Sequence, residues 1–348
     1  MDRRPDVDDD WRDVAAQWTL RPDVTYLNHG SFGPPPRPVQ KAHHDWQKRL
    51  WEEPMDFYVR QLPQAWRQAR RSVAEFLNTL DENLIFVENA TAGMNLVAHS
   101  FPLEAGDEVL LTDHEYGAVR RIWEKRAVQC GATVSTVRLE LPFTTAAAVV
   151  EQLSNAVTPR TRLAVVSHIT SPTAVILPVG EIARALHRLG VTVVVDGPHA
   201  LAQVPVDLEA IGCDFYTASC HKWLSAPFGS GLLYVAPAWH AHVRPLLWSW
   251  GVLPPDVPAQ WWQEFVWMGT RDPSAFLAVP AAIEWMKQIG LEAFRTRTHY
   301  LAQQARKALV ARFGREPLVP DDPSWYGSMA HIPLPTAAPP ESSKTTMA

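Results

Sequence analysis

Short apolar segments alternate with helical patterns through the middle of the chain, and this alternation limits the possible folds more than any other feature. The segments include Leu84–Val87, Glu108–Thr112, Leu163–Val166 and Val191–Val195. The last is an unbroken β-branched run, which is typical of a strand buried on both faces. The alternation predicts an α/β fold with a mostly parallel sheet and helices on both faces. Ligands of such sheets bind beyond the carboxyl ends of the strands, so polar residues there are the candidates for a site.

The pattern along the chain predicts four parts. Residues 1–45 would form an irregular, proline-rich N-terminal segment with a loop on the substrate side, and 46–272 a large domain. Residues 273–335 would form a partial, smaller C-terminal domain, and 336–348, rich in Pro, Ser, Thr and Ala, a disordered tail. The helices of the smaller domain are predicted at 274–288 and 291–313.

Charge and cysteine content exclude several classes of protein. The net charge is −5 without a long Lys/Arg run, which argues against nucleic acid or an anionic membrane as the main partner. The acidic N-terminus does not resemble a secretory signal, and no apolar run reaches membrane-spanning length. Cys130, Cys213 and Cys220 lack metal-ligand spacing. We therefore expect a cytoplasmic protein without a metal site or a disulfide framework.

Two predicted strand ends carry an acid and a lysine that together suit one cofactor. Asp196 closes the buried strand, where an acid is costly unless a charged or protonated group faces it. Lys222, in Ser219–Trp223, follows another short strand, and apolar neighbours favour its neutral amine. A neutral amine forms a Schiff base with an aldehyde, and pyridoxal 5'-phosphate (PLP) pairs such a lysine with an acid on its pyridine nitrogen. An acid at a strand end or a single lysine is common in proteins that do not bind PLP. The prediction therefore depends on finding both residues together with a phosphate-binding junction, in this order along the chain.

A phosphate-binding junction is predicted at Glu88–Gly93, between a strand and a helix. The unpaired N–H groups and the positive dipole end of the helix favour a phosphate there, although Asn89 or Thr91 alone is more often a helix N-cap. The candidate phosphate ligands also include hydroxyl and imidazole donors near the lysine and a Gly-Thr-Arg segment later in the chain. These further residues are Ser219, His221, Gly269, Thr270 and Arg271.

In order along the chain, several motifs resemble the class V aminotransferase-like branch of the fold-type I PLP enzymes, and within it the isopenicillin N epimerase-like group. They are Leu27–Gly33, Asn89–Thr91, Asp113–Ala118, Ser167–Thr173, Asp196–His199, His221–Trp223 and Gly269–Ser274. As a set they are specific for the family and only weakly specific for a substrate. The resemblance implies the fold-type I architecture, a large domain that binds PLP, and a homodimer.

The resemblance also implies a role for each matching residue. Lys222 would carry the cofactor as a Schiff base and move the Cα proton, and Asp196 would pair with the pyridine nitrogen. His199 would lie near the ring edge, and Tyr116, with His114 as the alternative, would stack on the ring. The phosphate ligands would be Ala90, Thr91, Ser219 and His221, with Gly269 and Thr270 from the partner subunit.

Two departures from the family pattern bear on the substrate. Ser171 stands where many relatives have an asparagine that contacts the cofactor ring oxygen. Relatives also carry an arginine for the substrate carboxylate near the C-terminus, but no arginine follows Arg315 here. Arg271 is then the candidate carboxylate ligand, and the loop residues that would lie near the substrate are Asn28 and His29.

The expected function is an epimerase- or lyase-type reaction at Cα or Cβ of an amino acid. One alternative is a non-catalytic PLP-binding relative, because the small domain is short. Another is a cysteine desulfurase or selenocysteine lyase, but desulfurases need a mobile cysteine in the C-terminal part and none follows Cys220. Neither a G-x-G-x-x-G after a strand nor a G-x-S-x-G motif occurs, which disfavours a Rossmann dehydrogenase and a serine hydrolase.

Overall fold

The computed structural model describes residues 3–335, and in this range seven strands form a single sheet in the order β1-β7-β6-β5-β4-β2-β3. The strands are β1 (Leu84–Val87), β2 (Glu108–Thr112), β3 (Thr133–Val137), β4 (Thr161–Ser167), β5 (Thr192–Asp196), β6 (Phe215–Ser219) and β7 (Gly231–Val235). Only β7 runs antiparallel to its neighbours β1 and β6. The predicted α/β architecture with a mostly parallel sheet is confirmed.

Helices cover both faces of this sheet, because successive strand residues point to opposite sides. Leu84 and Phe86 of β1 join one hydrophobic core, whereas Ile85 and Val87 join the other. The helices are α1 (Arg12–Ala15), α2 (His29–Phe32), α3 (Arg37–Glu52), α4 (Pro54–Asp56), α5 (Leu62–Phe76), α6 (Ala90–Ser100), α7 (Gly117–Cys130), α8 (Ala146–Asn155), α9 (Val179–Arg188), α10 (Leu208–Ile211), α11 (Ser274–Leu277), α12 (Val279–Ile289) and α13 (Leu291–Phe313). Among residues 3–335, no helix is both long and apolar enough to cross a bilayer.

The structure corrects three sequence predictions. Residues 37–45 are not irregular, because α3 begins at Arg37 with Pro38 in its first turn, where a missing N–H costs no hydrogen bond. Strand β7 was not predicted; it pairs antiparallel with β6, which precedes it, and with β1, which lies far away in the sequence. The helix predicted at 274–288 is divided into α11 and α12. The predicted tail, 336–348, lies outside the described residues, and the domain boundaries stay predictions.

The topology gathers polar residues along one edge of the sheet. Strands β1, β2, β4, β5 and β6 all end on this edge, because they run in the same direction. Asp196 is the last residue of β5, Lys222 follows β6, and Asn89 follows β1. The candidate site therefore lies where open α/β sheets bind their ligands.

Candidate functional site

Lys222 is held in a short chain of side chains beyond β6. Its Nζ lies 3.1 Å from Nε2 of His199, and Nε1 of Trp223 donates a 3.4 Å hydrogen bond to Nδ1 of the same imidazole. An indole N–H only donates, so this bond places the proton of neutral His199 on Nε2. Nε2 then donates to the lone pair of an uncharged Lys222 amine.

The surroundings of Lys222 also favour its uncharged form. Burial lowers the pKa of Lys222 to about 8, although nearby Asp196 acts in the opposite direction. Burial, and then the Lys222 charge, lower the pKa of His199 to about 3, so this imidazole is neutral near pH 7. With this pKa about a tenth of Lys222 is uncharged at pH 7, a far larger fraction than for an ordinary lysine.

Asp196 is a buried carboxyl group at the end of β5, with 3% of its surface exposed. Burial, and then the nearby Glu115, raise its pKa to about 7, although Lys222 acts in the opposite direction. A protonated ring nitrogen placed against Asp196 would offset the cost of burying its carboxylate. The site thus contains the acid that a pyridine ring requires.

Glu115 is a second buried acid that the sequence analysis did not select. Its carboxylate accepts hydrogen bonds from the Ser167 hydroxyl (2.6 Å), the Thr112 hydroxyl (2.7 Å) and the Ser167 backbone N–H (3.2 Å). Ser167 is paired with Asp196 across β4 and β5. Burial raises the pKa of Glu115 to about 7 against these hydrogen bonds. The only sequence signal was its place in the Asp113–Ala118 motif, between the two residues selected there.

The predicted phosphate junction is preformed at the start of α6. The Ala90 backbone N–H donates to the Ser219 hydroxyl at 3.0 Å, and the Asn89 side chain accepts from the Ala92 N–H at 2.9 Å. Nδ1 of His221 is buried without a hydrogen-bond partner. Buried polar atoms usually have partners, so this nitrogen suits an anionic ligand oxygen. The chemistry of these donors fits a phosphate beside Lys222.

The other predicted cofactor residues lie beyond β2 and β4. Tyr116, immediately before α7, is 49% exposed, whereas His114 is buried. Nδ1 of His114 lies 2.7 Å from the Thr173 hydroxyl, so this ring is fixed in place. Ser171 is exposed in the turn after β4. Tyr116 is thus the more accessible of the two rings proposed to stack on the cofactor.

The N-terminal loop crosses directly over the lysine. A methyl group added at Gly33 would overlap the carbonyl oxygens of Lys222 and His221. Asn28 and His29, the predicted substrate residues, line a cavity of about 550 Å³ together with Trp223. The loop therefore forms one wall beside the residue that follows Lys222.

Replacing Gly33 with alanine is expected to lower activity by about tenfold or more, since the loop or the Lys222 backbone must shift. The φ angle of Gly33 is −77°, which any residue adopts, so the effect is steric. Gly180→Ala on α9 is the matched control, because a Cβ there meets only ordinary contacts at 3.5 Å or more. Equal kcat/KM values for the two variants would contradict the expected close approach.

Gly269 and Thr270 belong to a loop anchored beside the phosphate junction. Nη1 of Arg271 donates to Glu88 at 2.7 Å, and the Tyr58 hydroxyl donates to the Arg271 carbonyl at 2.9 Å. Nη2 of Arg271 is buried without a partner, and Thr270 is exposed. Arg271 is therefore already engaged by Glu88 within the chain.

Over residues 3–335, no three His, Cys, Asp or Glu side chains come together as a possible metal site. The imidazoles near the site instead contact Lys222 and Thr173.

Comparison with known proteins places these motifs in a family. The family model described as "Aminotransferase class-V" matches residues 54–344. This chain belongs to the class V aminotransferase family. An isopenicillin N epimerase of Streptomyces clavuligerus is 40% identical over 94% of the chain and 85% of its own length. A putative L-cysteine desulfhydrase of Oryza sativa subsp. japonica is 33% identical over 90% of the chain and 67% of its own length.

Solved structures agree with the fold of the family. The cysteine desulfurase CsdA of Escherichia coli superposes with a TM-score of 0.76, covering 89% of this chain and 80% of its own, at 24% identity. The predicted family and the fold-type I architecture are confirmed. The cofactor of class V aminotransferase-family enzymes is PLP, and the Asp196, Lys222 and Ser219 environments fit its ring nitrogen, aldehyde and phosphate.

Covalent incorporation of PLP into the cofactor-free protein is expected to depend on pH through Lys222. With a pKa of about 8, the neutral fraction of this amine rises about tenfold per pH unit below pH 8 and then levels off. Stopped-flow absorbance from about pH 6 to about pH 10 measures this rate. A rate that keeps rising to about pH 10 would show that Lys222 titrates like an ordinary lysine.

Proposed function

We propose that this PLP-dependent enzyme acts on the Cα–H bond of an amino acid and inverts that centre, as an amino-acid epimerase. The observation that carries the proposal is the Lys222–His199 contact, which holds the Lys222 amine next to the buried Asp196. The similarity to isopenicillin N epimerase, the highest identity among the relatives described above, supports epimerisation over other family reactions.

Each proposed residue has a task in this reaction. Bound PLP withdraws electron density from Cα and so acidifies its C–H bond. Asp196 would keep the ring nitrogen protonated, and Ser219, His221 and the N-terminus of α6 would hold the phosphate. Lys222 Nζ would accept the Cα proton, and His199 would position the lysine side chain before the substrate engages its lone pair.

Elimination from Cβ is the second candidate, because a putative L-cysteine desulfhydrase is 33% identical to the chain. Such a lyase uses the same proton abstraction but requires a leaving group on Cβ. A desulfurase also needs a reactive thiolate, and burial raises the pKa of Cys220 to about 12 and that of Cys213 further still. Cys130, on α7, is the remaining cysteine of the sequence.

A second subunit is part of the proposal. Thr270 is exposed. Two large apolar side chains earlier in the same part of the sequence are also exposed, Trp248 at 70% and Trp250 at 61%. Such side chains mark association surfaces. In the proposed homodimer, Gly269 and Thr270 of each chain reach the phosphate of the other. The free cysteines support a proposed cytoplasmic location.

The substrate carboxylate needs a cation, and we propose Arg271 for this role. Its unpartnered Nη2 supports the assignment, while the Glu88 ion pair would fix the guanidinium. Replacing Arg271 with lysine would keep the positive charge but lose the two parallel N–H donors that a guanidinium group offers to a carboxylate.

Chiral analysis in D₂O tests the proposed reaction. The PLP-loaded protein is incubated with a panel of L-amino acids that includes cysteine, and the enantiomers, Cα deuterium content, sulfide and pyruvate are measured. Appearance of the Cα-deuterated D-enantiomer without sulfide or pyruvate supports the epimerase. Release of sulfide and pyruvate from cysteine would replace this function with the lyase, and unchanged substrates throughout would contradict both.

A further inference from the structure

Asp196 has the end of β4 beside it, on the side away from Lys222. Ser167, the last residue of β4, is the register partner of Asp196. The two strands are parallel and roughly 4.8 Å apart, and paired residues point to the same face of the sheet. The His168 N–H donates to the Asp196 carbonyl oxygen at 2.9 Å, so the ladder continues to the ends of both strands. A group bound to the Ser167 side chain therefore lies beside Asp196.

Glu115 is the group that binds Ser167. Its carboxyl group accepts from the Ser167 hydroxyl at 2.6 Å and from the Ser167 N–H at 3.2 Å. The Thr112 hydroxyl, at the end of β2, donates to it at 2.7 Å. All three donors are uncharged, and Glu115 is buried. These contacts hold a second buried carboxyl group beside Asp196.

Two cations approach this pair of acids from opposite sides. Lys222 comes from the end of β6, and its Nζ lies 3.1 Å from Nε2 of His199. Arg120 comes from α7, and its Nη2 donates to the carbonyl oxygen of Thr112 at 3.0 Å. Each of these cations is thus bound to an uncharged group.

Four neighbouring rings are uncharged near pH 7, namely those of His114, His168, His199 and Tyr216. Burial lowers the pKa of each imidazole and raises that of the phenol. The Tyr216 hydroxyl lies 2.9 Å from Nδ1 of His168, which joins two of these rings. Asp196 therefore experiences charge from Glu115 on one side and from Lys222 on the other.

Two buried carboxyl groups in one site repel each other when both are ionised. Burial, and then Glu115, raise the pKa of Asp196 to about 7, and burial raises that of Glu115 to about 7 against its hydrogen bonds. A cation placed at Asp196 offsets this repulsion. A protonated pyridine nitrogen is such a cation, so the two acids together favour the protonated ring over the neutral one.

We propose that Glu115 is a positioning residue of the cofactor site, whose carboxylate acts through Asp196 to keep the proton on the ring nitrogen of bound PLP. The inference rests on the role proposed above for Asp196. The negative charge of Glu115 makes Asp196 a stronger acceptor for the ring N–H, while the hydrogen bonds from Ser167 and Thr112 hold that charge in place.

A cofactor analogue with C–H in place of the ring nitrogen tests this role without turnover. Dissociation constants of PLP and of the analogue are measured for the cofactor-free wild type, Glu115→Gln and the control Glu124→Gln. Glutamine keeps the shape of Glu115 and its hydrogen bonds but carries no charge. The preference for PLP over the analogue should fall by about tenfold in Glu115→Gln. Glu124 is exposed on α7, so its variant should keep the wild-type preference.

Asp196→Asn, alone and combined with Glu115→Gln, shows whether the effect passes through Asp196. Once Asp196 is an amide, Glu115→Gln should change the preference no further. A Glu115→Gln protein that binds both cofactors more weakly by the same factor would show a merely structural role and overturn the inference. An undiminished preference in Asp196→Asn would overturn the role proposed for Asp196, whereas a preference lost there but intact in Glu115→Gln would overturn this inference alone.

Ser167→Ala provides a second variant that keeps the acid. It removes a hydroxyl donor that lowers the pKa of Glu115 and so favours its charged form. The preference for PLP should therefore fall in the same direction as in Glu115→Gln, by a few-fold, and this variant decides the question if Glu115→Gln does not fold. An unchanged preference in Ser167→Ala would contradict the proposed dependence on the Glu115 charge.

Discussion

Replacing Lys222 with alanine is expected to lower turnover by about 10³-fold or more, because the reaction loses both its cofactor attachment and its proton acceptor. His199 remains in the variant, but its pKa of about 3 makes it a poor base. Steady-state rates of the PLP-loaded variant, with and without added methylamine, provide the measurement.

A matched surface variant and chemical rescue distinguish this role from a loss of folding. Lys125→Ala, on the exposed side of α7, should keep wild-type activity. A small primary amine should restore part of the Lys222→Ala rate by serving as the missing base. Turnover of Lys222→Ala within about tenfold of wild type would contradict the assignment.

Replacing Asp196 with asparagine is expected to have opposite effects on activity and stability. An amide of the same shape cannot keep the ring nitrogen protonated, so kcat should fall by about 10²- to 10⁴-fold while PLP remains bound. In the cofactor-free protein the same change removes a carboxyl group that is costly to bury.

The sign of the stability effect follows from the raised pKa. Unfolded Asp196 loses its proton near pH 3.8, whereas the folded carboxyl loses it near pH 7. The proton bound to Asp196 therefore stabilises the folded protein fully below about pH 4. This contribution to the free energy of unfolding, about 4 kcal/mol at most, is lost as the pH rises to about 7.

Urea unfolding of the cofactor-free proteins measures this difference. Asp196→Asn should match the wild type near about pH 4 and exceed it in unfolding free energy near about pH 8. Asp6→Asn, at an exposed position, should show no such pH-dependent difference. An Asp196→Asn protein that is less stable than wild type near about pH 8 would show that Asp196 is not a costly buried acid there.

The sequence predicted the core of the site because its residues follow strongly patterned strands. The β-branched run before Asp196 and the short strand before Lys222 fixed both residues at one sheet edge. Strand β7 was missed although it pairs with the preceding strand β6; its second partner, β1, lies far away in the sequence, so no local pattern encodes its place between the two. Helix α3 was missed for a different reason: Pro36 and Pro38 flank its first residue, and such prolines are compatible with either a loop or the start of a helix.

Residues that depend on long-range contacts could not be predicted in this way. The buried carboxyl group of Glu115 accepts a hydrogen bond from Ser167, which lies far along the chain on β4. Gly33 is constrained by the backbone carbonyl groups of Lys222 and His221, which lie far along the chain. Within the Asp113–Ala118 motif, the sequence alone also does not show which side chain points inward.

Borohydride reduction of the PLP-loaded protein, followed by peptide mass spectrometry, tests the central claim most directly. The treatment fixes the cofactor on the amine that carries it, so the modified lysine is read from the peptide masses. We predict the cofactor mass on the peptide containing Lys222 and its absence from all peptides of Lys222→Ala. The mass on a different lysine, or on no peptide of the loaded wild type, would contradict the account.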